Sequence, residues 1–334
     1  MLISIIAILA GFALLVWGAD KFVQGASATA SNLGVSPLII GLTIVGFGTS
    51  APEMLVSFMA ALNGNPEIAV GNAIGSNITN IGLVLGITAM IVPLTVNSSI
   101  LKREYPIMFA VMILAWYLMS DNTLQKTDGV ILIFSMFFVL ALVTFLGLRD
   151  QKNTSDPLNT EFNEEIPTDM STKMAMFWLF FGLLILVGSS KILVWGAVNI
   201  AHNFGVSDLV IGLTIIAIGT SLPELAASVV SALKGEHEIA IGNIIGSNMF
   251  NLLGVLGIPA LISPINELSE TVLNRDYPVM IGLSILLLFF AYGFTFGKKQ
   301  GKDPVNGKIT RLESSILLLG YATYMYLIYL SIQT

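Results

Sequence analysis

Cysteine is absent from this chain of 334 residues. No disulfide, thiolate metal site or cysteine nucleophile is open to it. Charge is scarce as well: Asp, Glu, Lys and Arg make up 11% of the residues, against about 25% in soluble domains. Histidine occurs twice, at His202 and His237. Both fall near expected loops and read as surface residues, so a zinc or copper site has little support. No basic patch points to nucleic acid, and the net charge of −6 sits mostly in loops. Residues 1–17 lack the positive n-region and cleavage site of a signal peptide and read as a retained first helix. Hydrophobic residues account for 55% of the chain. Apolar stretches able to cross the roughly 30 Å hydrocarbon layer recur along its whole length.

The expected fold class is therefore an all-α polytopic membrane protein. Ten spans are predicted near 2–30, 37–63, 67–92, 104–121, 127–148, 173–200, 208–234, 238–263, 277–296 and 309–331. Pro93 and Pro264 end two of them, and Pro106 and Pro278 sit just inside the starts of two others. Residues 41–80 and 212–251 share 23 identities in 40 positions at an offset of 171, which marks an internal duplication. Five spans separate equivalent positions, so the two copies face opposite sides of the membrane, the inverted-repeat pattern of alternating-access transporters. The expected organisation is a first five-helix repeat at 1–148, an acidic cytoplasmic linker at 149–172 and a second five-helix repeat at 173–334. Eleven Lys and Arg residues fall in one set of loops and two, Lys126 and Arg275, in the other. That bias places both termini outside, in a multi-pass protein of the plasma (inner) membrane. The linker lacks the spacing and central glycine of a calcium loop and reads as solvated.

The duplicated stretches are polar where lipid would be hostile. "GTSAPE" ends on Pro52–Glu53 and "GTSLPE" on Pro223–Glu224. Each proline denies a hydrogen bond to the carbonyl four residues earlier, Gly48 or Gly219, so spans 2 and 7 are expected to be broken. Irregular backbone at this depth survives only inside protein or beside a wet cavity. Thr49, Ser50, Glu53 and Ser57 can share one helix face. In "GNAIGSNITN" Asn72, Ser76, Asn77 and Asn80 make a second oxygen-rich stripe. Thr220, Ser221, Glu224, Ser228, Asn243, Ser247, Asn248 and Asn251 repeat both. An acidic side chain at a helix centre costs about 3 kcal/mol on insertion scales, and no Lys or Arg lies near Glu53 or Glu224 in sequence. If the halves pack face to face, the two carboxylates meet and a bound cation is their natural counter-charge. All the ligands on offer are hard oxygens, which suit Ca²⁺ and Na⁺. The spacings Gly71-x-x-x-Gly75 and Gly242-x-x-x-Gly246 read as helix packing. Glu67 and Glu238, at expected loop ends, read as surface or entry residues, and Asp20 and Lys21 as a local or headgroup interaction. No Ser–His, Ser–Lys or metal-activated nucleophile is found at midplane depth, so an enzyme is not expected.

The paired motifs, "GTSAPE" with "GNAIGSNITN" and "GTSLPE" with "GNIIGSNMFN", resemble the two alpha repeats of the sodium/calcium exchanger family, within the calcium:cation antiporter superfamily. The short loop is similar to that of the compact prokaryotic members. The resemblance implies Ca²⁺ and Na⁺ as transported ions, no cofactor, and a single chain sufficient for transport. It implies Glu53 and Glu224 as central Ca²⁺ ligands, with contacts from Thr49, Ser50, Ser76, Thr220, Ser221 and Ser247. Backbone carbonyls of Phe47 and Ile218 or their neighbours would contribute, with Asn77, Asn80, Asn248 and Asn251 in or beside the site. Some relatives carry Asp at one of the last motif positions, where this chain has Asn80 and Asn251, which removes one possible ionisable group. The resemblance also implies that the first and sixth helices slide across the rest. The expected function is Na⁺/Ca²⁺ antiport by alternating access. Ca²⁺/H⁺ exchange or a K⁺-dependent variant on the same glutamates is the alternative, and a cation channel a more distant one.

Overall fold

The computed structural model of the chain describes residues 1–33, 46–96, 98–151, 170–235, 237–291 and 307–333. Within them ten helical spans follow one another. They are α1 (Leu2–Asn32), α2 (Ala51–Leu62, preceded by the turn Gly46–Thr49), α3 (Pro66–Ile91), α4 (Ser98–Met119) and α5 (Lys126–Gln151). Then come α6 (Thr172–Phe204), α7 (Asp208–Lys234), α8 (His237–Phe250 continued to Ile262), α9 (Val272–Ala291) and α10 (Arg311–Gln333). Eight are long and apolar enough to cross a membrane, and α2 and part of α4 are shorter apolar helices. The predicted start of span 2 at 37–45, the end of span 9 and most of the acidic linker lie outside the described residues.

Two details differ from expectation. Helix α9 opens with a π turn at Val272, so Pro278 lies beyond its first turn, and α4 begins at Ser98, so Pro106 lies inside it rather than in its first turn. Its ring leaves the carbonyl of residue 102 without the usual helical partner. Short β structure, which no apolar pattern announces, ties loops together. The strand β1 (Leu94–Val96) pairs antiparallel with β2 (Gly307–Ile309), and Leu124 bridges Ile265. The first links the α3–α4 and α9–α10 connections, the second the α4–α5 and α8–α9 connections. Each tie joins loops that ten alternating spans would place on one side. His237 is part of this arrangement and not a bystander: its Nδ1 accepts the Thr95 N–H of β1 at 3.0 Å. The side chain of His202 lies outside the described set.

Helices α1 and α6 pack antiparallel along their whole length on glycines spaced seven apart. Gly11 lies against Leu193, Gly18 against Ile185 and Leu186, and Gly25 against the backbone of Ala175 and Leu179. On α6, Gly182 meets Phe22 and Gly196 meets the Ser4 carbonyl. Lipid tails are as apolar as leucine, so close backbone approach at small residues is what holds two such helices together. Near one end Lys21 bonds Asp20 at 3.1 Å and Gln24 at 3.0 Å and lies 5.6 Å from the Trp178 ring. Asp20 and Lys21 thus form the local interaction expected. A small apolar cluster (Leu15, Val56, Ala60, Leu186, Ile216) joins this pair to α2 and α7. The larger core lies among α3, α4, α8, α9 and α10.

A second duplicated motif appears in that core. Tyr105–Pro106–Ile107–Met108 of α4 corresponds to Tyr277–Pro278–Val279–Met280 of α9. Tyr105 Oη donates to the Ser284 carbonyl at 3.3 Å, and Tyr277 Oη donates to the Met112 carbonyl at 2.5 Å. Ser284 and Met112 are themselves equivalent positions, so α4 and α9 grip each other by two symmetry-related hydrogen bonds.

A leucine at position 25 would have to occupy the backbone of α6, since a Cβ there would overlap Leu179 N. Gly25→Leu is expected to separate α1 from α6 and cost more than the usual 1–3 kcal/mol or so of an overpacked core. Size-exclusion profiles of detergent-solubilised protein check this; a monodisperse variant of wild-type thermal stability contradicts it.

Candidate functional site

Both GTS motifs form a short helical turn that ends where its proline follows. Gly46–Thr49 precedes Ser50, whose φ of −88° and ψ of 2° interrupt the helix before α2 begins at Ala51. Ala217–Thr220 precedes Ser221, with φ of −82° and ψ of 5°, before the helix resumes at Leu222. Both spans are broken at equivalent residues, as the prolines require. The interruption is a single residue, because helical bonds resume at once from Met54 N to Ser50 O (3.2 Å) and Leu225 N to Ser221 O (3.0 Å). Glu53 and Glu224 therefore lie in the first turn of each new helix, where the free N–H groups favour negative charge. Phe47 and Ile218 lie in the turns before the breaks. Ile218's side chain points outward, so only its carbonyl can serve the site.

Helices α3 and α8 bring the second stripe against the first. Gly71 and Gly75 allow this by contacting the backbone of α7 at Leu209 and Leu213. That is the packing role expected of them. Gly242 and Gly246 meet no described residue within 4 Å.

The hydroxyls cross between repeats. Thr220 Oγ1 donates to Asn72 Oδ1 and Thr49 Oγ1 donates to Asn243 Oδ1, both at 3.2 Å. Asn72 Nδ2 donates to Ser57 Oγ (3.0 Å) and to the Glu53 carbonyl (3.2 Å). Asn243 Nδ2 does the same to Ser228 Oγ (3.2 Å) and the Glu224 carbonyl (3.5 Å). Ser76 Oγ donates to Asn72 Oδ1 at 3.3 Å, and Ser247 Oγ to Glu224 Oε1 at 3.3 Å. Deeper in, Asn80 Nδ2 donates to Asn248 Oδ1 (3.1 Å) and Asn251 Nδ2 to Asn77 Oδ1 (3.2 Å). These two amide pairs are again related by the repeat. Asn80 and Asn251 each open a π-helical turn, Asn80–Leu85 and Asn251–Val255. Such turns cluster at functional sites, and nothing in the residue pattern announces them.

Every one of these side chains except Thr49 and Asn243, which are part-buried, is sealed from solvent. Glu53 and Glu224 lie within electrostatic reach of each other. Among the described residues no Lys, Arg or His pairs with either. Among the described residues both Glu53 carboxylate oxygens, Glu224 Oε2, Ser221 Oγ, Asn80 Oδ1 and Asn251 Oδ1 have no partner at hydrogen-bonding distance. Unsatisfied buried carboxylates and carbonyls are costly. Here they are hard oxygen donors carried by the two duplicated motifs, a set that fits an alkali or alkaline-earth cation. The structure thus brings Thr49, Ser50, Glu53, Ser76, Asn77, Thr220, Glu224, Ser247, Asn80, Asn248 and Asn251 into polar contact across or within the two repeats, whereas the side chain of Ile218 points away. Asn72, Asn243, Ser57 and Ser228 were visible as parts of the stripes but not as ion contacts. They hold the broken helices to α3 and α8.

Glu67 is half-buried in the first turn of α3 beside Asp208, which accepts from Asn65 at 2.6 Å. It is therefore part of a polar contact between α3 and α7, not a free surface group. The side chain of Glu238 lies outside the described residues.

The family model described as "Sodium/calcium exchanger protein" matches residues 3–145 and 174–330. The chain belongs to this family. It is an antiporter for cations that include Ca²⁺, and not an enzyme. The exchanger is 46% identical over 331 residues to CaxA of Alkalimonas amylolytica, a chain carrying the name of an antiporter with no ion specified, covering 99% of this chain and 100% of that one. It is 30% identical to the sodium/calcium exchanger MaX1 of Methanosarcina acetivorans, covering 98% and 99%. Among solved structures it resembles the sodium-calcium exchanger NCX_Mj soaked with Na⁺ and Sr²⁺, with a TM-score of 0.64, 30% identity and coverage of 97% and 98%.

Asn72 and Asn243 each serve three or four polar atoms of the site. Asn72→Ala or Asn243→Ala leaves several buried groups without partners, at about 1–3 kcal/mol each. Both variants are expected to lose thermal stability and to bind Ca²⁺ more weakly, as read by melting with and without Ca²⁺. Wild-type melting and wild-type Ca²⁺ stabilisation in either would contradict the scaffold role.

Proposed function

We propose that this protein exchanges Ca²⁺ for Na⁺ by alternating access, with Glu53 and Glu224 as the shared ligands at the centre. The observation that carries the reading is the pair of buried carboxylates, within electrostatic reach of each other and, among the described residues, paired with no cationic side chain. One Ca²⁺ neutralises two carboxylates. Ionised and empty, the pair opposes passage through a dry barrier; loaded with Ca²⁺ or with Na⁺ ions, the site approaches neutrality and the gate can move. The surrounding hydroxyls and amide carbonyls support Na⁺ over H⁺ as counter-ion. A proton needs only a carboxylate, whereas Na⁺ needs several oxygens around it. Thr49, Ser50, Ser76 and Asn77, with their counterparts Thr220, Ser221, Ser247 and Asn248, offer such oxygens.

The wider reading places the protein in the plasma (inner) membrane with both termini outside. It divides the chain into five-helix repeats at 1–148 and 173–334 around the linker, and takes one chain as sufficient for transport. The loop charges support the orientation, and the paired loop contacts are compatible with it.

Glu53→Gln or Glu224→Gln is expected to abolish ⁴⁵Ca²⁺ uptake into proteoliposomes preloaded with Na⁺. Imposing Na⁺, K⁺ and pH gradients one at a time identifies the counter-ion, with uptake expected to follow the Na⁺ gradient. Uptake driven by the pH gradient alone would replace Na⁺ by H⁺ in this reading, and normal uptake by either variant would overturn it.

A further inference from the structure

We propose that Met280, on α9, is a positioning residue that sets which end of the Asn251 amide faces the transported ion. The inference rests on the reading of Asn251 as part of the ion site. Met280 is fully buried, and its Sδ accepts from Asn77 Nδ2 at 3.4 Å. A thioether has lone pairs and no proton, so it can only accept. It therefore draws the NH₂ end of Asn77 and turns Oδ1 away. Asn77 Oδ1 in turn accepts from Asn251 Nδ2 at 3.2 Å. With its NH₂ end so engaged, Asn251 is left with a buried Oδ1 that has no partner. The helical turn that opens at Asn251 packs against α2, which carries Glu53. The relay thus leaves a carbonyl oxygen, attractive to a cation, buried and without a partner among the described residues, on a turn that neighbours the helix carrying Glu53. With the order reversed, Asn77 Oδ1 would face the sulfur lone pairs and Asn251 would turn two N–H groups towards the ion, which would repel it.

Among the described residues the other repeat lacks this relay. Asn80 Nδ2 donates to Asn248 Oδ1, but Asn248 Nδ2 has no partner, although Met108 stands at the position equivalent to Met280. The thioether contact is thus a property of one half of the site. Met280 is itself held in place, since Ser284 Oγ donates to its carbonyl at 2.8 Å and Tyr105 grips the Ser284 carbonyl.

The test is calorimetric Ca²⁺ binding to the full-length protein in detergent, a readout that needs no counter-ion. Met280→Leu keeps the volume and removes the acceptor; Met280→Gln restores an acceptor; Met119→Leu, at a buried position of α4 outside the site, controls for loss of a core methionine. Met280→Leu is expected to raise the Kd for Ca²⁺ about three- to tenfold, the effect of one lost hydrogen bond. Met280→Gln and Met119→Leu are expected to stay near the wild-type value. Wild-type affinity in Met280→Leu overturns the inference, and so does equal weakening in Met280→Leu and Met280→Gln, which would mean packing alone. If Met280→Leu does not fold, Met280→Gln decides: affinity near wild type supports the relay and weakened affinity overturns it. A wild-type protein that binds no Ca²⁺ would sink the exchange reading and this inference together. Normal wild-type binding with unaltered Met280→Leu sinks this inference alone.

Discussion

Two carboxylates are buried within electrostatic reach of each other, and among the described residues no basic side chain answers them. That single constraint explains more of this molecule than any other. Glu53 and Glu224 are fully enclosed, and three of their four oxygens have no partner at hydrogen-bonding distance among the described residues. A fold built only for stability would place neutral groups there, at lower desolvation cost. The prolines that break α2 and α7, the helix starts that receive the glutamates, and the crossed Thr–Asn bonds all serve to hold this unfavourable arrangement together.

The packing divides the labour. Helices α1 and α6 meet backbone to backbone on their glycines and form one unit. The larger core ties α3, α8 and their neighbours together, with the Tyr105 and Tyr277 hydroxyls clamping α4 to α9. The buried carboxylates and hydroxyls lie between these bodies, attached to the second through Asn72 and Asn243. Motion of one body past the other can then change access to the site while the stripes on α3 and α8 keep their shape. A transporter needs this combination of a fixed site and a movable cover.

Much of this was legible in the chain. The duplication at an offset of 171 residues, the Pro–Glu pairs and the serine and asparagine stripes lead directly to the broken helices and the central cluster, because polar residues are costly in an apolar span. Other features left no such mark. The π turns at Asn80 and Asn251 change one hydrogen bond in an otherwise helical pattern. The β1–β2 pair is too short to show alternation. Pro106 stands within α4 because the helix starts earlier than its apolar stretch. The glycines at 11, 18 and 25 were visible, but a seven-residue spacing acquires meaning only when Ala175, Leu179, Leu186 and Leu193 are placed opposite. The Tyr-Pro-x-Met repeat was missed because tyrosine and methionine are ordinary core residues until their partners are known.

The central claim is that one cation bridges carboxylates from the two repeats. Anomalous diffraction from crystals soaked in Sr²⁺, a Ca²⁺ surrogate, tests it most directly. The expected result is one dominant peak coordinated by both Glu53 and Glu224, at oxygen distances of about 2.3–2.6 Å or slightly longer for the larger ion. A peak bound by only one glutamate, or a strong peak elsewhere with both carboxylates unligated, would contradict the account.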